Sequence, residues 1–240
     1  MKSFLITSCF MIFAPLLYAE NPQLTVTGES MLYKPADTMT LTLGVETFDQ
    51  DAQKAIQANA QKMGGIRAAL LKAGLSENEL QTQSYTLAPQ YKPTPEKPPR
   101  DWKPSIIGYE VSNTLEIYTN KLDAAGTLID VASNAGANFV QSISFALQNE
   151  QNAKAEAIAL AVRNAATYAQ AAVKEAGLKL GPIAELTIDQ GSNVGFYKGA
   201  RAYSAQEAVT SISPRDIEVS ASVSIVYTIE STQFQRDPQK

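Results

Sequence analysis

The sequence predicts an α+β fold of mainly antiparallel sheet(s) with three helices packed on one face, and three observations carry that expectation. Strands alternate rather than running apolar throughout: in 38–48, Met39, Leu41, Leu43 and Val45 oppose Thr38, Thr40, Thr42 and Glu46. Such a strand is buried on one side only, unlike the strands of a doubly wound parallel sheet. Three helical stretches end in Ala-Gly, at Ala73-Gly74, Ala135-Gly136 and Ala176-Gly177, where glycine can take the left-handed conformation that closes a helix. Strand–helix–strand also occurs twice, at 38–90 and 106–148, before a further helix, a strand and a last strand.

In chain order, residues 1–19 carry Lys2, an apolar run from Phe4 to Leu17 and then Leu17-Tyr18-Ala19. This is a signal-peptide pattern with cleavage expected after Ala19, and the run is short for a membrane span of roughly 20 residues. The mature chain is expected to form one domain over 20–230, with a polar tail at 231–240. Leu24–Glu29 reads as a first strand, with Gly28 and Lys34-Pro35 marking a turn. After the alternating strand, Asp49 and Asp51 start a helix to Ala73, with Gly64-Gly65 in its middle read as close packing or a bend. Leu80–Tyr91 returns as a strand. Lys92–Pro104 follows, with five prolines that forbid helix and interior strand, so an extended excursion holding Trp102 is expected.

Ile106–Thr119 is the next strand, and Asn120 is expected to cap a helix from Lys121 to Ala135. Phe139–Leu147 reads as a strand with Phe139, Ile143, Phe145 and Leu147 on one side. The longest helix, 148–177, is alanine-rich, with Ile158, Val162, Ala165, Ala169, Val173 and Ala176 as its expected stripe. So narrow a stripe lets the helix lie close against a flat partner. Pro182–Asp189 reads as a strand with Ala184, Leu186 and Ile188 inward, and Gly191–Thr210 as a loop. Ile217–Glu230 is the cleanest strand, its apolar residues strictly alternating.

Composition then excludes chemistry. The chain has no histidine and one cysteine, Cys9, inside the segment expected to be removed. A mature chain without either has no Ser-His-Asp or Cys-His arrangement, no disulfide and no Cys/His zinc site. Cleavage would leave 19 basic against 24 acidic residues, a net charge of −5 without a basic cluster, a poor match to nucleic acid. There is no glycine-rich phosphate loop and no Gly-x-Ser-x-Gly elbow. Glu46, Asp49 and Asp51 form a formal carboxylate candidate for glycoside hydrolysis, against their ordinary use at a helix start. Asp189, Asp216, Lys198 and Arg201 carry no convergent pattern. No catalytic residue, cofactor or metal site is expected. The residues singled out for an interface or ligand contact are Trp102, Tyr91, Phe196, Tyr197 and Tyr203.

The chain also resembles the SIMPL-domain family, which includes secreted and periplasmic immunogenic proteins of Gram-negative bacteria. The resemblance runs through Leu24–Gly28 (LTVTG), Ala68–Tyr91, Ile107–Leu115 (IGYEVSNTL), Ala135–Phe145 (AGANFVQSISF), Ala155–Leu180 and Ile217–Tyr227. Pro35-Ala36-Asp37 and Pro214-Arg215-Asp216 depart from the family's turn patterns. The resemblance implies an exported α+β protein that self-associates, linked to envelope or oxidative-stress phenotypes, and it supplies no catalytic residues.

Together these readings lead to an expectation: a non-enzymatic periplasmic homo-oligomer, whose partners are itself and a cell-envelope component. It would keep no integral membrane span after cleavage. A binding module for envelope glycan or peptide, using the polar sheet face with Trp102, Tyr197 and Tyr203, is the alternative. A carboxylate-dependent hydrolase is the third reading.

Overall fold

The computed structural model describes residues 22–189, 194–196 and 212–231. Residues 1–19, expected to direct export, Tyr197, Tyr203 and the tail after Ser231 lie outside them. The order is β1 (Gln23–Pro35), β2 (Thr38–Asp49), α1 (Ala52–Lys72), β3 (Leu80–Tyr91), β4 (Ile106–Thr119), α2 (Ala125–Asn134), β5 (Phe139–Ala146), α3 (Glu150–Glu175), β6 (Leu178–Asp189), β7 (Val194–Phe196) and β8 (Asp216–Ser231). One sheet has the order β3-β4-β2-β5; the other has β1-β8-β6, with β7 also on β8. The α+β class is therefore as expected, with the strands divided between two sheets. The described residues form two compact units, 22–29 with 161–189 and 222–231, and 30–160 with 194–196 and 212–221.

In the second unit, β2 pairs antiparallel with β4 and with β5, and β3 pairs antiparallel with β4. Each strand–helix–strand run is thereby split: β4, from the second run, lies between β2 and β3 of the first. This is the β-α-β-β-α-β arrangement of ferredoxin-like folds. Alternation in β2 buries Met39, Leu41, Leu43 and Val45 together with Leu115 and Ile117 of β4. They pack on Met63, Ile66 and Leu70 of α1 and on Leu128 and Ala132 of α2. Each such aliphatic side chain contributes about 1.5–3 kcal/mol on burial.

The Asp51 carboxylate accepts from the backbone N–H groups of Gln53 and Lys54, capping α1. Asn59 is fully buried on the core face of α1, and its Nδ2 donates to the carbonyls of Val45 and Val111, 3.0 Å each. One amide thus ties the helix to two adjacent strands.

The Ala-Gly helix ends behave as expected: Gly74, Gly136 and Gly177 have φ of 100°, 115° and 66°. Several local expectations are corrected. α1 runs as helix through Gly64-Gly65; a Cβ at Gly64 would meet nothing within 4 Å, so close packing does not account for Gly64, whereas one at Gly65 would lie 3.5 Å from the Ala135 carbonyl oxygen, an ordinary packing contact. Asn120 does not cap the helix before α2; a 3-10 turn, Leu122–Ala124, intervenes without a side-chain cap. A register shift between Thr42 and Leu43 lets Phe139 pair with Gly44, while Ile143 and Phe145 pair with the core residues Leu41 and Met39. Phe139 thus lies on the opposite face from its expected companions, its ring over the space that a Cβ on Gly44 would fill. Residues 194–196, expected in a loop, form a strand against Ile217–Val219.

In the first unit the buried residues of α3 are Ala161, Ala165, Ala169 and Val173; in the second they are Ala153 and Ala157. The stripe recurs strictly every four residues, with Ile158 and Val162 half-buried beside it and Ala176 exposed. Ala165, Ala169 and Val173 are thus buried as expected, whereas in the N-terminal half Ala157 and Ala161 take the places expected of Ile158 and Val162. Gly28 marks no turn, because β1 runs straight through it; a Cβ there would lie 2.1 Å from the Ala161 carbonyl oxygen and 2.5 Å from the Ala165 nitrogen. Glycine and alanine let strand and helix backbones touch. Nearby, Asn164 Nδ2 donates to the Glu29 carbonyl at 2.7 Å. Within the second unit, Ser30 Oγ donates to the Ala157 carbonyl at 2.7 Å and Lys34 pairs with Glu156 at 2.7 Å.

Candidate functional site

Two surfaces stand out, and neither is a catalytic cleft. The first is the far end of the β3–β4 hairpin. β2 pairs with β4 only as far as Asp49↔Tyr109, whereas β3 and β4 stay paired out to Tyr91↔Ile106. The hairpin therefore projects past the end of β2 by about three residues, roughly 10 Å. Phe48 braces its base: a Cβ on Gly108 would lie 2.3 Å from the Phe48 ring, so the glycine makes room for it. Beyond this base, Lys92 N–H donates to the Ser105 carbonyl at 2.9 Å and Trp102 N–H to the Pro99 carbonyl at 3.0 Å, closing the proline-rich connection. Tyr91 and Ile106, at the two strand ends, are 51% and 49% exposed, and Trp102 is half-buried.

The second surface is β6, which has β8 as its neighbour and stands at an edge of its sheet. Ile183, Leu186 and Ile188 pair in register with Tyr227, Ile225 and Val223 of β8. Those three partners are buried, yet the β6 residues are 51%, 43% and 39% exposed. The apolar face of the sheet thus continues outward onto a strand where nothing among the described residues covers it. Register shifts on both sides of Ile183 put that residue, rather than the expected Ala184, opposite Tyr227. Leu186 and Ile188 share the face as expected but are not inward.

The Glu79 carboxylate has the most perturbed environment. Burial pushes its pKa upward, but hydrogen bonds from Thr119, from the Ser76 N–H and hydroxyl, and from Lys121 prevail and hold it at about 2. Lys121 Nζ also donates to the Gly74 carbonyl at 2.6 Å. These contacts tie the end of α1 to the start of β3 and the end of β4. A carboxylate held this firmly ionised is a structural anion, unsuited to proton transfer near neutrality.

The model of SIMPL, a protein family of unknown function (DUF541), matches residues 24–227. The chain belongs to the SIMPL family. Over 165 residues it is 30% identical to the 26 kDa periplasmic immunogenic protein of Brucella melitensis biotype 1, covering 69% of this chain and 66% of the relative. The counterpart in Brucella abortus is also 30% identical over the same shares. An uncharacterized protein, YggE, of Escherichia coli K12 is 27% identical over 68% of this chain and 64% of its own length. The SIMPL chain thus spans just under two thirds of the length of these relatives. Among its described residues, no helix is long and apolar enough to cross a membrane.

Of the residues singled out in this SIMPL chain, the structure brings Tyr91 and Trp102 to one hairpin end and puts Phe196 in β7, paired with Ile217. Tyr197, Lys198, Arg201 and Tyr203 lie outside the described residues. The carboxylate trio has separate duties. Glu46 Oε1 accepts from Ser112 Oγ at 3.4 Å, Asp49 Oδ1 from the Asp51 N–H at 2.8 Å, and Asp51 caps α1. Among the described residues no group of acidic, histidine or cysteine side chains could hold a metal ion. The polar face is also less open than expected, since Thr38, Thr42 and Thr114 are buried. The exposure of Ile183 and Ile106 is not legible in the sequence; composition signals an apolar residue, not whether a neighbour covers it.

Proposed function

We propose that this chain is an exported, non-enzymatic protein of the periplasm that assembles into a homo-oligomer with an envelope or oxidative-stress-related role. The observation that carries the assembly is β6, an edge strand whose Ile183, Leu186 and Ile188 extend a buried apolar face to where nothing among the described residues covers them. An open strand edge with apolar side chains is a template for another strand or another copy of the same surface. A symmetric pairing would bury the aliphatic strip on both sides at once. The periplasmic assignment is supported by the 1–19 segment and by the naming of the Brucella relatives. The absence of histidine from the chain and the structural duties of Asp49, Asp51 and Glu79 support a non-enzymatic role. The family resemblance supports the stress-related part.

Multi-angle light scattering on the chain lacking residues 1–19 tests the assembly. The native mass is expected to be a multiple of the chain mass, and Leu186→Lys to shift it toward the monomer. A monomer at every concentration refutes the assembly; an oligomer untouched by Leu186→Lys removes β6 as its basis.

A further inference from the structure

We propose that the tip of the β3–β4 hairpin docks on an anionic phospholipid bilayer. The connection 92–104 holds four of the chain's 20 basic residues and two of its 24 acidic ones, so it is net positive in a chain whose net charge is −4. Lys92, Lys97, Arg100 and Lys103 are all exposed. The same tip carries Trp102, the sole tryptophan, with Tyr91 and Ile106 exposed at the strand ends beneath it.

Amphipathic aromatic rings beside lysine and arginine are the composition of a membrane–water interface. The rings sit at headgroup depth and the cations meet the negative leaflet. The position of the tip agrees. It projects past the end of β2 on a stalk braced by Phe48 against Gly108, so within its own sheet it stands ahead of the neighbouring strand. Five prolines in the connection remove backbone donors, which makes this segment a poor edge for strand pairing with a second copy. The charge contrast between tip and body also orients the molecule, because an anionic surface repels the acidic remainder while attracting the tip. This docking goes beyond the self-assembly proposed above and is independent of it.

The test uses the chain lacking residues 1–19 and vesicles of phosphatidylethanolamine with phosphatidylglycerol, compared with phosphatidylcholine vesicles. The expected result is co-sedimentation with the anionic vesicles alone, reversed by salt, with a blue shift of Trp102 fluorescence as the ring leaves water. The double variant Lys97→Glu, Arg100→Glu, with an unchanged circular dichroism spectrum, should partition at least about tenfold more weakly. The Trp102 shift in the unaltered chain needs no variant, so a variant that fails to fold leaves the proposal exposed to refutation. Equal partition to phosphatidylcholine would overturn it. So would a fluorescence shift that follows protein concentration without vesicles, which would mean that a second copy covers the tip. Binding to soluble heparin without any shift on vesicles would overturn it as well.

Discussion

Gly28 and Glu79 show how much single positions decide here. At Gly28 a methyl group would meet the backbone of α3, which cannot swing aside as a side chain does. Gly28→Ala should therefore cost about 2 kcal/mol or more, read as a lowered urea midpoint with unchanged slope. A variant as stable as the parent would mean that β1 and α3 separate readily. Glu79 yields a pH signature. Its side chain is 19% exposed and its pKa is held at about 2, below the usual carboxylate value of about 4.3. A depressed folded-state pKa contributes stability in full above the unfolded value, and that contribution fades as pH falls from about 4 to 2. Glu79→Gln should lose roughly 1–3 kcal/mol at pH 7. Its unfolding midpoint should then converge on that of the parent near pH 2. A gap that persists at pH 2 would place the effect in packing rather than in charge.

Helices and strands carry their own consequences. α1 tolerates Gly64 in its interior although nothing near it requires glycine. Gly64→Ala should stabilise the protein by about 0.5–1 kcal/mol, because alanine loses less backbone freedom on folding and fills open space. Thermal unfolding measures this, and a loss of stability would point to a partner for that exposed turn. Helix identity was legible in advance, since caps and four-residue spacings are local. In α3 the N-terminal half of the expected stripe differs, because Ile158 and Val162 are more apolar than Ala157 and Ala161, and hydrophobicity alone ranks them inward, while Ala165, Ala169 and Val173 are buried as expected. At Ala161, close approach of the helix backbone to Gly28 reverses the ranking, since a larger side chain there would hold strand and helix apart. In β5 and β6, strands as expected, the faces of Phe139 and Ala184 differ for another reason. A bulge inserts one residue and turns every later side chain over, and no local window reveals where it falls.

For the molecule as a whole, the two exposed surfaces make separable demands. Mass in solution reports on β6, and vesicle binding reports on the hairpin tip. An oligomer unaffected by Lys97→Glu, Arg100→Glu would show that the two act independently. The proline-rich connection and Trp102 stood out in the sequence because they break its pattern, whereas the exposed strip on β6 looks like any core strand until its neighbours are known. By itself the sequence determined the α+β class, the alternating strands, the glycine-terminated helices and the lack of histidine chemistry. These follow from periodicity, backbone preference and composition, which act over a few residues. Tertiary structure alone decided the β3-β4-β2-β5 order, the bulges, the contact at Gly28 and which apolar residues remain in water. Those depend on pairings between segments far apart in the chain, whose energies are set only when the partners meet.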